Sequence, residues 1–203
     1  MINFDEASHT YTTEIEGTEM VVPSVSTIIT HILDLDYSGI DPFYADRGTA
    51  VHKAIELLIA DNLDEGSLDE EIIPFLNAYK KFVKETQFQP IHSEIRVFDK
   101  DLWVAGTLDL IGSIGENKVL IDIKTGQKQK WHQLQTAGYA ILSGELDIKR
   151  YCLNLTKKET YKLEPHESKG DFSLFKSMAD VFNRKGDYIN RKGDYINRKG
   201  DYK

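Results

Sequence analysis

Asp122 and Lys124 stand two residues apart in the apolar run VLIDIKTG, so on an extended strand both side chains leave one face while Ile121 and Ile123 enter the core. Two charges on so apolar a strand are costly unless they are paired or used. Asp109, in GTLDLIG, lies on the preceding run on the same side as Trp103, Ala105 and Thr107, and a turn near Gly115 brings it beside Asp122. Close carboxylates repel unless a cation joins them, and hard oxygen ligands select Mg2+ or Mn2+. An ordinary Asp–Lys salt bridge, with Asp109 bordering a turn, accounts for the same spacing. His52 in RGTAVHKAIE sits at the edge of a helical apolar stripe, where a histidine is more often a satisfied core side chain than a ligand. Gln135 and Tyr139 are i and i+4 on one helix face after the lysine strand.

Placing these residues requires a sheet flanked by helices. From residue 90 three runs of strand period, HSEIRVF, LWVAGTLDLIGSI and KVLIDIK, are separated by Asp99-Lys100-Asp101 and Gly115-Glu116-Asn117, which predicts an antiparallel meander. WHQLQTAGYAILSG reads as a helix stopped at Gly144, and IKRYCLNL as a fourth core strand. That order means an α/β fold with a mixed central sheet. Upstream, alternation around Glu16-Gly17-Thr18 predicts a hairpin over 8–15 and 18–22, and Ser24 caps a short helix in VSTIITHILDL. Asp41-Pro42 opens a second helix reaching Asp61, with Asn62 or Gly66 near its end. A third helix spans 68–86, with Pro74 in its first turn.

With 203 residues, of which 40% are apolar and 29% charged, the chain suits one domain over 1–182. The single Cys152 leaves no structural disulfide, four-cysteine zinc site or iron–sulfur cluster within the chain, and fits a reducing compartment. Neither a signal pattern nor an apolar run of membrane-spanning length occurs, so a soluble, cytoplasmic protein with no membrane partner is expected. The net charge of −8 hides an asymmetry: residues 1–117 carry −15, 118–162 carry +5, 163–182 carry −2 and 183–203 carry +4. A polyanion would meet the second half, since phosphate contact follows local potential. The tail, 183–203, repeats NRKGDYI with a period of seven. A Gly and an Asp in every unit favour disorder or a frayed helix extension over a coiled coil.

Taken together in order, these residues resemble the PD-(D/E)XK nuclease superfamily in its RecB-like exonuclease branch. His52 in Gly48-Thr49-Ala50-Val51-His52 is similar to the branch's helix histidine, a metal ligand. Asp109 in Gly106-Thr107-Leu108-Asp109 resembles the first catalytic aspartate, with Leu108 in place of the family's proline. Asp122 and Lys124 in Asp122-Ile123-Lys124-Thr125-Gly126 match the acidic-X-Lys element, in which the Ile123 carbonyl is commonly a further ligand. Gln135 and Tyr139 match the Gln-x-x-x-Tyr helix motif along the nucleic-acid path. Glu94 resembles an acidic residue that some members place near the metal on the first core strand. Phe4-Asp5, His9-x-Tyr11 and Pro23-Ser24-Val25-Ser26 are similar to the opening of phage and prophage members. The likeness covers roughly residues 1–155.

The resemblance implies a restriction-endonuclease-like core and hydrolysis of DNA phosphodiesters in phage or prophage recombination, repair or genome processing, within a bacterial host cell. Asp109, Asp122 and Lys124 would be catalytic. His52, Glu94, Asp109, Asp122 and the Ile123 carbonyl would face Mg2+ or Mn2+, and Lys124 would act by its charge. Gln135 and Tyr139 would contact single- or double-stranded DNA ends; Lys128 and Lys130, which make the stretch after the lysine strand basic, would do the same. No iron–sulfur cluster is expected, and a homo-oligomer or a recombination protein is admitted as partner. Tyr11, Trp103, Trp131 and Tyr139 are candidates for base stacking, although core packing explains most aromatics equally well. A structure-dependent endonuclease and a non-catalytic nucleic-acid-binding module remain open alternatives.

Overall fold

The structure, a computed structural model, describes residues 1–6, 8–39 and 41–189. In chain order it begins with β1 (Ile2–Asp5), β2 (Thr10–Ile15), β3 (Thr18–Val22), α1 (Val25–Ile32), α2 (Pro42–Ile59) and α3 (Ile73–Thr86). It continues with β4 (Gln89–Asp99), β5 (Val104–Ile114), β6 (Asn117–Lys124), α4 (His132–Leu142), β7 (Lys149–Leu155), β8 (Tyr161–Pro165) and α5 (Gly170–Ile189). The central sheet runs β4-β5-β6-β7-β8 and is antiparallel except for the β6–β7 pair, which α4 connects as a crossover. The fold is therefore α/β with a mixed sheet, as the order of periodicities predicts.

Helices cover both faces of this sheet. Val25, Ile28 and Ile29 of α1 join Leu134 and Ala140 of α4 and Phe175, Met178 and Phe182 of α5 over Val104, Leu108 and Leu120. On the other face Val51, Ala54 and Ile55 of α2 and Phe75, Tyr79 and Phe82 of α3 cover Leu110, Ile121, Ile123 and Leu153. Truncating a ring such as Phe82, which is wholly buried, to alanine costs about 3–5 kcal/mol. The helix ends follow the chemistry of their residues: Ser24 Oγ accepts the Thr27 N–H at 3.0 Å, and Asp41 Oδ1 accepts the Phe43 N–H ahead of α2. Gly144 ends α4 at φ +74. A three-stranded sheet, β1-β2-β3, docks on β5 through the Ala105 N–H to the Pro23 carbonyl and Tyr11 Oη beside Thr107 Oγ1 at 2.7 Å.

Several elements depart from expectation. The hairpin starts at Thr10 rather than 8, and β1 pairs with it as a third strand. Asp61, not Asn62 or Gly66, takes the left-handed turn after α2. The third helix starts at Ile73, because Asp69 Oδ1 accepts the Glu71 N–H and its carbonyl accepts the Ile72 N–H, holding 69–72 as a turn. Trp103 is in a turn at φ +53, ahead of β5, and so does not share the face of Asp109. Neither β8 nor α5 follows from the pattern argument. The expected domain end at 182 falls inside α5, which runs on to Ile189; residues 190–203 of the repeat lie outside the described residues. No helix among the described residues is long and apolar enough to cross a membrane.

Candidate metal centre

Asp109 lies where the sheet opens. The β5–β6 ladder ends at the pair Leu110–Ile121, after which β6 stays paired only to β7. On the other side Glu94, between the paired Ser93 and Ile95, takes φ +49 and has no cross-strand partner. This left-handed residue re-aims its own side chain out of the strand's alternation, as a bulge does. The Asp109 carboxylate fills the gap, and its Oδ2 accepts the Ile123 N–H at 2.6 Å. Asp109 is thus fixed by a backbone group that the ladder has released.

His52 reaches the same point from α2, because its helix buries Val51, Ala54 and Ile55 against β6 and leaves the imidazole at the edge of that stripe. Its Nδ1 is 3.4 Å from Glu94 Oε1 and 3.6 Å from Asp109 Oδ1, and its Nε2 lies 3.2 Å from the Ile123 carbonyl oxygen. Burial disfavours the imidazolium, but the Asp109 and Glu94 carboxylates outweigh it and push the pKa up to about 9. Ligand atoms of His52, Glu94 and Asp109 all lie within 4.8 Å of one another. One imidazole and two carboxylates are a donor set for Mg2+ or Mn2+.

Asp122 is brought next to this group without belonging to it. Its carboxyl is fully buried; Lys124 Nζ donates to Oδ1 at 2.9 Å and lies 2.8 Å from Oδ2, which accepts no hydrogen bond. Burial lifts the Asp122 pKa to about 6 against the pull of Lys124, and burial likewise raises Asp109 although His52 and Lys124 oppose it. Burial works against the Lys124 ammonium, but Asp122 and Asp109 hold its pKa above the ordinary lysine value. The two carboxylates thus favour the ammonium form of Lys124. The three convergent ligands fit a cation, with Asp122 beside them ion-paired to Lys124; the Ile123 carbonyl stands at the same junction, facing the His52 ring.

The helix residues divide differently. Gln135 and Tyr139 are 7% and 6% exposed, and Gln135 Nε2 donates to Tyr139 Oη at 2.9 Å, while Gln135 Oε1 has no partner. The Tyr139 ring lies where a side chain at position 106 would stand, 2.9 Å from such a Cβ, which is why Gly106 is needed there. Burial, with Asp109 and Asp122, raises its phenol pKa, so the hydroxyl stays protonated. With Tyr11 equally buried, neither tyrosine offers a ring face for stacking. Lys128 is exposed and pairs with Glu164 Oε2 at 3.0 Å, and Lys130 is exposed in the same loop.

Two residues went unnoticed in the sequence. Arg47 stacks over Phe43, Tyr44 and Phe75 and donates to the Thr125 carbonyl at 3.1 Å, which clamps α2 onto the loop after Lys124; its only signal is a charge five residues before His52. Asn154 pairs in register with Lys124, and both polar atoms of its carboxamide are buried without partners. Its signal is a lone amide in the apolar strand YCLNL. Cys152 is an inert thiol, its pKa pushed up to about 12 by burial, and burial keeps the neighbouring His132 neutral, with a pKa near 3.

No protein-family model matches this chain, and no curated protein matches it in sequence. A solved structure described as "Crystal structure of SSO0001" superposes with a TM-score of 0.39 at 14% identity, covering 79% of this chain and 84% of that one. A likeness this slight carries nothing over to this chain.

Proposed function

We propose that the protein is a metal-dependent DNA exonuclease that hydrolyses phosphodiester bonds at DNA ends, in the recombination, repair or genome processing of a phage or prophage. The observation that carries this reading is the convergence of His52, Glu94 and Asp109 within 4.8 Å, next to a buried Asp122 whose partner is a lysine. Mg2+ or Mn2+ bound there would supply Lewis-acid activation of water and charge stabilisation at the departing 3′-oxygen. Asp109 holds its carboxylate in place through the Ile123 N–H, so its free oxygen faces His52 ready for the ion. Asp122 keeps Lys124 at the site, and the Lys124 ammonium stands as a preorganised charge for the phosphoryl oxygens. His52 must release its proton to become a ligand. Tyr139 and Gln135 back the carboxylates and exclude water from the α4 side.

The test is digestion of end-labelled linear and closed-circular DNA, single- and double-stranded, with Mg2+ or Mn2+ and with Asp122→Ala as control. Loss of linear but not circular DNA, dependent on metal and absent in the variant, is the expected result. Cutting of circles would make it an endonuclease. A folded protein that binds Mn2+ yet cuts nothing would be a nucleic-acid-binding module.

A further inference from the structure

Three residues stand side by side across the carboxyl end of the parallel β6–β7 pair and its neighbour. Lys124 is in register with Asn154, and Asn154 with Lys162 of β8. Cross-strand partners share a face, so all three side chains leave the sheet on the α4 side, opposite Ile123, Leu153 and Leu163. Strands in a sheet are about 4.8 Å apart, which sets the row at roughly 10 Å from Lys124 to Lys162. The carboxyl end of parallel strands is also where open α/β sheets hold ligands, close to a helix N-terminus, here that of α4.

Asn154, at the centre of this row, is not satisfied by the other described residues, whereas the lysines on either side are paired. Asn154 Nδ2 and Oδ1 are both buried without a partner, which costs free energy unless a ligand or water meets them. Lys162, 72% exposed, and Lys128 both pair with Glu164, one residue pair deeper on the same face. Each ammonium has three donors, so Glu164 holds the two lysine heads in place and leaves donors over. We propose that Lys124, Asn154 and Lys162, with Lys128, form a phosphate track that leads the backbone of a polynucleotide from the metal cluster to the β8 edge. Asn154 Nδ2 is the unpartnered donor offered to a phosphate oxygen midway along the row. The inference names the substrate contact of the nuclease reading and rests on it only for the direction in which the strand runs.

Binding of fluorescein-labelled 20-nucleotide DNA to the full-length protein, followed by anisotropy from low to high salt, tests the track. Lys162→Ala and Lys128→Ala should each weaken binding at low salt by about three- to tenfold and flatten the dependence of log Kd on log salt by about 0.7–0.9. Asn154→Leu should raise Kd severalfold without changing the slope. Lys118→Ala, at the opposite end of β6 and paired with Glu145, should change neither. Unchanged slopes in both lysine variants, or no DNA binding by a wild-type protein that binds Mn2+ in calorimetry, would overturn the track. Loss of slope in a protein that binds no Mn2+ would keep the track and overturn the exonuclease reading instead.

Discussion

The two ends of β7 carry buried polar groups on the same face and treat them in opposite ways. At the start of the strand Arg150 is almost completely enclosed, yet its donors are taken: Nη1 by the Gln133 carbonyl at 2.9 Å, Nη2 by the Ser168 carbonyl at 2.8 Å and by Asp171 at 3.1 Å. Phe172 covers its guanidinium at 4.5 Å. At the far end Asn154 has no partner, Asp122 Oδ2 beside it accepts no hydrogen bond, and His52, Glu94 and Asp109 crowd one another. A saturated buried charge fastens α4 and α5 to the sheet. At the far end the unsatisfied amide of Asn154 and the crowded carboxylates fasten nothing and cost free energy where they stand.

The largest expected effect lies at the unsaturated end. Asp122→Asn should lower cleavage by about a thousandfold or more, in line with the loss of one preorganised electrostatic group, and because it strips the buried Lys124 of its partner the melting temperature should fall as well. Undiminished cleavage by the folded variant would erase the contrast between the two ends. Arg150→Met reverses the pattern: leaving Asp171 buried alone should cost about 3–5 kcal/mol in urea denaturation, with Mn2+ affinity of the folded protein unchanged. Asn154→Leu sharpens the contrast, since removing an unsatisfied amide should stabilise the protein by up to about 1 kcal/mol while weakening DNA binding.

The smallest effect is in pH. The folded-state pKa of His52 is raised from 6.5 to about 9, so the stability it contributes is full below 6.5 and is lost as pH rises through 9. Asp122 is raised from 3.8 to about 6 in the folded state, which removes stability as pH rises from 3.8 to 6. Both shifts have the same sign, so in EDTA the melting temperature should fall from mild acid towards pH 9. Mn2+ should flatten that decline, and its affinity should rise with pH as His52 gives up its proton. Melts of wild type and His52→Gln across this range measure the contribution.

The sequence made Asp122 and Lys124 legible because alternation in an apolar strand fixes which side chains share a face, and a charge in such a run stands out; Asp109 stood out as a charge, although alternation breaks there, Leu108 and Leu110 packing on opposite faces of the sheet. The meander and the mixed sheet were legible for the same reason. β8 was not, because TYKLEP is short and polar and is a strand only by virtue of the β7 edge it covers. Without β8, neither Lys162 nor Glu164 had a place. The burial of Tyr11 and Tyr139 was equally hidden, since spacing puts a ring on a face but does not say what covers it. Glu94 came from family resemblance; its left-handed backbone, which turns it towards His52, has no signature in SEI.

The contacts that gather His52, Glu94 and Asp109 join residues far apart in the chain. His52 meets Glu94 across 42 positions and the Ile123 carbonyl across 71. Long loops must close before such contacts return any stabilisation, and contacts of this kind form slowly and late. A nascent chain on the ribosome that has exposed α2 and β4 still lacks the junction that gathers them. A chain cut short before β6 lacks the Ile123 N–H that fixes Asp109 and the Ile123 carbonyl that faces His52.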